Sequence, residues 1–88
     1  MSLKKGENKR AIDRAVGACD REHKGAFEWQ DCVQGVNIMR RLVRRKIDIE
    51  SAEKAAKTVC LAKDPHPGPR SRCQGGVRKL ASELRRTR

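Results

Sequence analysis

The sequence predicts an all-α protein: a small four-helix bundle built from two tandem helical hairpins. Three observations lead to this fold class. Apolar residues recur at helical spacing in four separate stretches, as on the buried face of a helix. Short segments containing Gly, Pro or Asp separate these stretches. The third observation is that the chain resembles itself at an offset of 41 residues, so the two halves are predicted to fold alike.

The internal repeat centres on a cysteine-led stretch, residues 32–45, which returns as residues 73–86. An alanine and cysteine pattern upstream repeats at the same offset. The identical pairs are Cys32/Cys73, Gly35/Gly76, Val36/Val77, Arg44/Arg85, Arg45/Arg86, Ala11/Ala52, Ala15/Ala56 and Cys19/Cys60. The repeat predicts a flexible basic N-terminus over residues 1–6, a first hairpin over 7–46 and a second over 47–88. A chain of 88 residues suits one compact domain.

The first hairpin is predicted from a cap, a break and two apolar stripes. Asn8 suits the N-cap of a helix running to about His23, because its side chain can accept a backbone N–H at the helix start. Lys24 and Gly25 end this helix, since Gly readily adopts the left-handed conformation that follows a helix C-terminus. The second helix is predicted to run to about Lys46.

The second hairpin shows the same order of signals. Asp48 is predicted to cap a third helix that runs to about Lys63. The proline-rich segment 64–69 then stops it, because proline lacks the N–H and clashes with the preceding turn. Ser71 and Gln74 are spaced as a capping box, which predicts that the fourth helix opens there and continues to a frayed basic end.

Aromatic and glycine positions give two packing expectations. Phe27 and Trp29, at the entry of the second helix, are interpreted as a hydrophobic lid over the first turn. Gly35 and the pair Gly75-Gly76 fall inside helices, where their small size is expected to permit close helix crossing. No phosphate-binding loop motif accompanies these glycines.

The four cysteines favour two disulfides, Cys19–Cys32 and Cys60–Cys73. Each pair has twelve intervening residues, flanks a predicted turn and lies in the apolar stripes of two antiparallel helices. Helix axes about 8–10 Å apart can bring Cα atoms within the roughly 4.4–6.8 Å that a disulfide requires. Closing such a loop stabilises a small domain by about 2–4 kcal/mol.

Three alternatives remain open from the sequence. The four thiolates could hold a structural zinc ion, although zinc sites usually separate paired cysteines by two to four residues. The thiols could stay free and buried as small hydrophobic groups. The bridges could also be Cys19–Cys73 and Cys32–Cys60. No cofactor other than the zinc of the first alternative is expected.

Two paired-cysteine motifs in a small helical chain resemble the twin-CX9C proteins of the mitochondrial intermembrane space. This chain departs from that pattern, because its spacing is twelve and a proline-rich turn interrupts the second motif. The resemblance therefore keeps that compartment among the candidates without assigning the family. If the disulfides form, we expect an oxidising compartment, either secreted or mitochondrial intermembrane; otherwise we expect the cytoplasm.

The net charge of +11 predicts an anionic partner, because a field of this strength attracts nucleic acid, acidic protein or anionic lipid. In an up-down-up-down bundle the chain ends and the middle connection share one pole, where basic residues would collect. The candidate contact residues are Lys4, Lys5, Lys9, Arg10, Arg40, Arg41, Arg44, Arg45, Lys46, Arg85 and Arg86. The opposite pole would carry Asp20, Glu22, Glu28, Asp31 and Asp64. Arginine presents a planar fork that matches phosphate oxygens.

The favoured function is that of a small, non-catalytic binding module that contacts the phosphate backbone of RNA or DNA, alone or within a larger assembly. We expect no enzyme, because no nucleophile has a paired base and the carboxylates lack an apolar setting. One alternative is an accessory or secreted protein, stapled by disulfides, that docks on an acidic protein. Another is a cationic membrane-active domain. No apolar run reaches the roughly 20 residues of a membrane span, and the thin alanine-rich stripes leave dimerisation open.

Overall fold

A computed structural model of the protein describes residues 5–45 and 48–86, without the side chains of residues 5–8. Four helices account for most of this part of the chain, and it contains no strand. The helices are α1 (Lys5–Glu22), α2 (Ala26–Arg44), α3 (Ile49–Lys63) and α4 (Pro67–Arg86). This confirms the all-α, four-helix fold class.

Helix α3 begins and ends as the sequence predicts. Its N-cap is Asp48, whose Oδ1 accepts the backbone N–H of Ser51 at 2.8 Å. The second carboxylate oxygen of Asp48 accepts the Ser51 hydroxyl at 2.9 Å. The helix runs to Lys63, where the chain enters the proline-containing turn. Satisfying the free backbone N–H groups of the first turn fixes the start of a helix in this way.

Two other helix starts differ from the prediction. Helix α1 begins at Lys5, so Asn8 lies inside the helix instead of capping it. Helix α4 begins at Pro67, four residues before Ser71. Proline suits the first helical position, because its φ angle is already helical and the N–H it lacks would have no partner there. The predicted capping box is therefore wrong: the Gln74 amide instead donates to the backbone oxygen of Lys57 at 3.4 Å.

The helix boundaries recur at the spacing of the sequence repeat. Helices α1 and α3 end at Glu22 and Lys63, and helices α2 and α4 begin at Ala26 and Pro67. Each pair of positions is 41 residues apart in the sequence. The turn between α1 and α2 thus has the same length as the turn between α3 and α4, although only the second turn contains proline.

The centre of the fold is the pair α2 and α4, which makes the most extensive contact between helices. Helices α1 and α3 each pack against both members of this pair, and within the described residues they do not contact each other. The result is a flat arrangement, 33 × 25 × 15 Å along its principal axes. The bundle therefore has a short diagonal between α2 and α4 and a long diagonal between α1 and α3.

Two glycines make the short diagonal possible. A Cβ atom added at Gly35 would overlap the carbonyl oxygen of Cys73, and one added at Gly76 would overlap the carbonyl oxygen of Cys32. The two helix backbones are thus in direct contact, as expected for these positions. Gly75 is not part of the crossing, because a Cβ there would meet only the end of the Lys79 side chain at 3.7 Å.

Each disulfide joins an outer helix to a central one. Cys19 is bonded to Cys32 with an S–S distance of 2.09 Å, and Cys60 to Cys73 with an S–S distance of 2.06 Å. All four cysteines are fully buried in the hydrophobic core, and none of the described cysteines is free. The structure therefore has the favoured pairing and contradicts the alternative bridges and the free thiols.

The aromatic residues at the entry of α2 do not act as a pair. Trp29 is partly buried and packs against the core, whereas Phe27 is 79% exposed. The prediction of a lid is therefore wrong for Phe27.

At the neighbouring turn, the His23 side chain is largely buried, and its Nε2 atom lies 3.7 Å from a carboxylate oxygen of Glu22.

Gly76→Ala is expected to lower the free energy of unfolding by about 1–3 kcal/mol, because the added methyl group must push α2 and α4 apart. The atom in its way is a backbone carbonyl oxygen, which cannot rotate aside. Gly75→Ala is the matched control and is expected to raise stability by about 0.5–1 kcal/mol, since Ala is the better helix former. Urea unfolding of the two variants measures both changes, and equal effects would contradict the close crossing.

Reduction of the purified protein is expected to add four protons to its intact mass and to destabilise the fold by about 2–4 kcal/mol for each bridge broken. Mass spectrometry and thermal unfolding with and without reductant measure these changes. Cys19→Ala/Cys32→Ala and Cys60→Ala/Cys73→Ala variants are expected to lose similar stability, because the two loops have the same sequence separation of 13. An unchanged mass, or a bound zinc ion, would contradict the disulfides.

Candidate functional site

The predicted basic residues lie at the start of α1 and at the ends of α2 and α4, and we call this end the basic pole. Within the described side chains it comprises Lys9, Arg10, Arg40, Arg41, Arg44, Arg45, Arg85 and Arg86. Lys4 and Lys46 lie outside the described residues, as does the side chain of Lys5. Arg85 contacts Glu53 near the start of α3, and α3 follows α2 after a short connection. The ends of α2 and α4 therefore lie on the same side of the molecule.

The arginines at the end of α4 are held by glutamates. The Arg85 guanidinium donates to Glu53 Oε1 at 2.5 Å, and the Arg86 guanidinium donates to Glu83 Oε2 at 3.5 Å. Glu83 also lies 4.0 Å from the guanidinium of Arg14. These carboxylates offset part of the positive charge at this corner of the basic pole.

The arginines at the end of α2 form no such pairs. Arg44 and Arg45 are exposed, and neither forms an ion pair within the described part of the chain. The reason lies in the sequence repeat. At the offset of 41, the positions of Glu53 and Glu83 correspond to Ile12 and Leu42. The first half thus carries apolar residues where the second half carries the two neutralising carboxylates.

The other two arginines of α2 extend the unpaired row. Arg41 is exposed and Arg40 is partly buried. The Nε atom of Arg40 is buried and has no acceptor among the described residues. Its counterpart in the repeat is Ala81, which is completely buried. A guanidinium therefore occupies a position where the other half of the chain packs a methyl group.

The Glu53 carboxyl, which contacts the basic pole through Arg85, has a shifted pKa. Burial alone would raise this pKa, but hydrogen bonds from Arg85 and Lys57 outweigh that effect and hold it below the ordinary value of 4.5. A lowered folded-state pKa means that the stabilisation is complete above the ordinary value and is lost as the pH falls through the folded-state value. Arg85 therefore remains paired at neutral pH.

The predicted acidic pole is also partly neutralised. The Arg72 guanidinium donates to Asp31 Oδ2 at 2.9 Å, and Lys79 lies 2.6 Å from Glu22. The hydrogen bond from Lys79 lowers the pKa of the Glu22 carboxyl below its ordinary value. Both cations come from α4, so part of the positive charge of this helix is paired with neighbouring carboxylates.

A groove between α2 and α3 leads away from the basic pole, and we call it the α2/α3 groove. Its polar lining is Gln30, Gln34, Asn37 and Arg41 from α2 and Lys63 from α3. This surface was not predicted from the sequence. The helical spacing of the three amides and the arginine is readable from the sequence, whereas the approach of the last residue of α3 depends on the packing of two helices.

Neither a metal site nor a membrane span is found in residues 5–45 and 48–86. No three His, Cys, Asp or Glu residues of this part form a group that could hold a metal ion. Its helices are too short or too polar to cross a bilayer. Comparisons with protein-family models, curated proteins and solved structures found no match.

Proposed function

We propose that this protein is a small, non-catalytic binding module whose basic pole contacts the phosphate backbone of a nucleic acid, alone or within a larger assembly. The observation that carries the proposal is the row of four unpaired arginines at the end of α2. The two arginines at the equivalent positions of α4, Arg85 and Arg86, are paired with carboxylates.

Unpaired arginines are suited to phosphate in two ways. The guanidinium group donates two parallel hydrogen bonds to phosphate oxygens. An arginine already paired with a glutamate must give up that contact before it binds phosphate, and an exposed pair is worth about 0.2–1 kcal/mol. Arg44 and Arg45 carry no such cost, so we expect them to contribute more to binding than Arg85 and Arg86.

The C-terminal position of these arginines also suits the helix dipole, which favours cations at that end. The dipole effect applies equally to α2 and α4, since both carry two arginines in their last turn. It therefore does not account for the presence of carboxylate partners at one helix end and their absence at the other. The difference in pairing distinguishes a surface available for an anionic ligand from a surface that is already neutralised.

Disulfide bonds persist in oxidising compartments, and the structure contains two. We propose that the protein acts outside the reducing cytosol, either secreted or in the mitochondrial intermembrane space.

The contacts of the basic pole with the phosphate backbone would position a nucleic acid without reading its sequence, because phosphates carry no base information.

The Arg44→Gln/Arg45→Gln variant is expected to bind a mixed-sequence oligonucleotide about tenfold more weakly at about 0.1 M salt and to reduce the slope of log K against log salt by about 1–2, because two phosphate contacts are lost. Fluorescence anisotropy over a salt series measures both quantities. The Arg85→Gln/Arg86→Gln variant removes the same net charge at the repeat-related positions. It is expected to bind about as tightly as the unmodified protein.

Two results would contradict this proposal. One is binding that is independent of salt, since phosphate contacts release counterions. The other is an equal loss of affinity in the two double variants, which would show that only net charge matters. A polyglutamate competitor completes the test: displacement of the oligonucleotide at equal charge concentration would indicate an acidic protein as the partner instead.

A further inference from the structure

The α2/α3 groove combines hydrogen-bonding amides with unpaired cations. Gln30, Gln34, Asn37 and Arg41 follow one another at helical spacing along α2 and share the groove with Lys63. The first and the last are eleven positions apart, which corresponds to about 16 Å along the helix at about 1.5 Å per residue. Arg41 belongs both to the groove and to the basic pole, so a ligand held at the pole could continue along this surface.

The amides of the groove are free to bind a ligand. Gln30 is exposed, and Gln34 and Asn37 are partly buried. None of these three side chains forms a hydrogen bond with another described residue. By contrast, the partly buried amide of Gln74 on α4 donates a hydrogen bond to a backbone oxygen of α3. Each free amide offers a donor and an acceptor side by side, the pattern that matches the N6 and N7 atoms of adenine.

The charge of the groove also favours a nucleic acid. Arg41 and Lys63 are exposed, neither has an ion-pair partner among the described residues, and no carboxylate lines the groove. The repeat-related groove between α1 and α4 is different, because Glu22 and Glu83 lie on its wall together with Arg78 and Lys79. The positive charge of the first groove would attract phosphate, whereas the charges of the second groove offset one another.

The shape of the groove selects unpaired bases over a duplex. The base edges of a duplex lie at the bottom of its grooves, so a protein element must protrude to reach them. Here the amides lie along the α2 wall of the groove, to which α3 contributes Lys63, and two of the three are partly buried. A single strand can turn its bases outward into such a recess. No aromatic side chain lines the groove, so base contacts would be made by hydrogen bonds, which are selective, and not by stacking, which tolerates any base.

We propose that the α2/α3 groove binds the bases of a single-stranded nucleic acid whose backbone is held by the basic pole, with Gln34 and Asn37 selecting adenine. The inference rests on the proposed function, because it requires that the pole bind phosphate. It adds base selectivity to a surface that would otherwise bind any sequence.

The test compares homopolymeric DNA strands of about 12 nucleotides, within the range of known single-strand sites, and a duplex of the same length. The unmodified protein is expected to bind oligo(dA) at least about fivefold more tightly than oligo(dT), the discrimination of one good amide–base pair. Gln34→Ala/Asn37→Ala is expected to abolish this preference and leave the salt slope unchanged. Both changes place alanine in a helix, where it is favoured, and circular dichroism checks that the fold is retained.

Ser71→Ala/Ser82→Ala is the matched control, because these serines line the repeat-related groove. It is expected to keep the preference for oligo(dA). Equal affinity for the homopolymers with a normal salt slope would contradict base binding in the groove but not phosphate binding at the basic pole. A preference that survives in the Gln34→Ala/Asn37→Ala variant, or tighter binding of the duplex, would also overturn it. Absence of salt-dependent binding would instead reject the proposed function itself.

Discussion

The direct contact between the backbones of α2 and α4 is the constraint on which the structure depends. It exists because Gly35 and Gly76 have no side chain to place against the carbonyl groups of Cys73 and Cys32. These same cysteines carry the disulfides to α1 and α3. Each outer helix is thus attached to the central pair beside the crossing. A chain with one Phe, one Trp and no Tyr is stabilised by close backbone contact and cross-links, where larger domains rely on bulky side chains.

The two halves share their frame but differ in surface chemistry. Asp31 and Arg72 occupy equivalent positions of the repeat, yet they contact each other across α2 and α4. Identical charged residues at these positions would repel, so the ion pair depends on the difference between the halves. The same holds at the basic pole, where Glu53 neutralises an arginine of α4 and its counterpart Ile12 leaves the arginine of α2 unpaired. The proposed binding surface arises from this difference.

Signals in the sequence were sufficient for the fold class and the start of α3, and they favoured the cysteine pairing that the structure contains. The cap at Asp48 could be predicted because its hydrogen bond joins residues three positions apart. The close helix crossing at Gly35 could be predicted because a small residue lies in an apolar stripe. The start of α4 was misplaced because two signals competed, and proline at the first helical position prevailed over the capping box at Ser71. The pairing of Arg85 with Glu53 joins residues 32 apart, so it depends on how two helices pack, which the spacing of neither helix reveals.

In the proposed function the end of α2, and not the end of α4, receives the anionic ligand. Backbone NMR of labelled protein during titration with a short oligonucleotide tests this claim most directly. We expect the largest chemical-shift changes in the last turn of α2, around Arg41, Arg44 and Arg45, with smaller changes around Arg85 and Arg86. Equal changes at the two helix ends, or the largest changes at the end of α4, would contradict it.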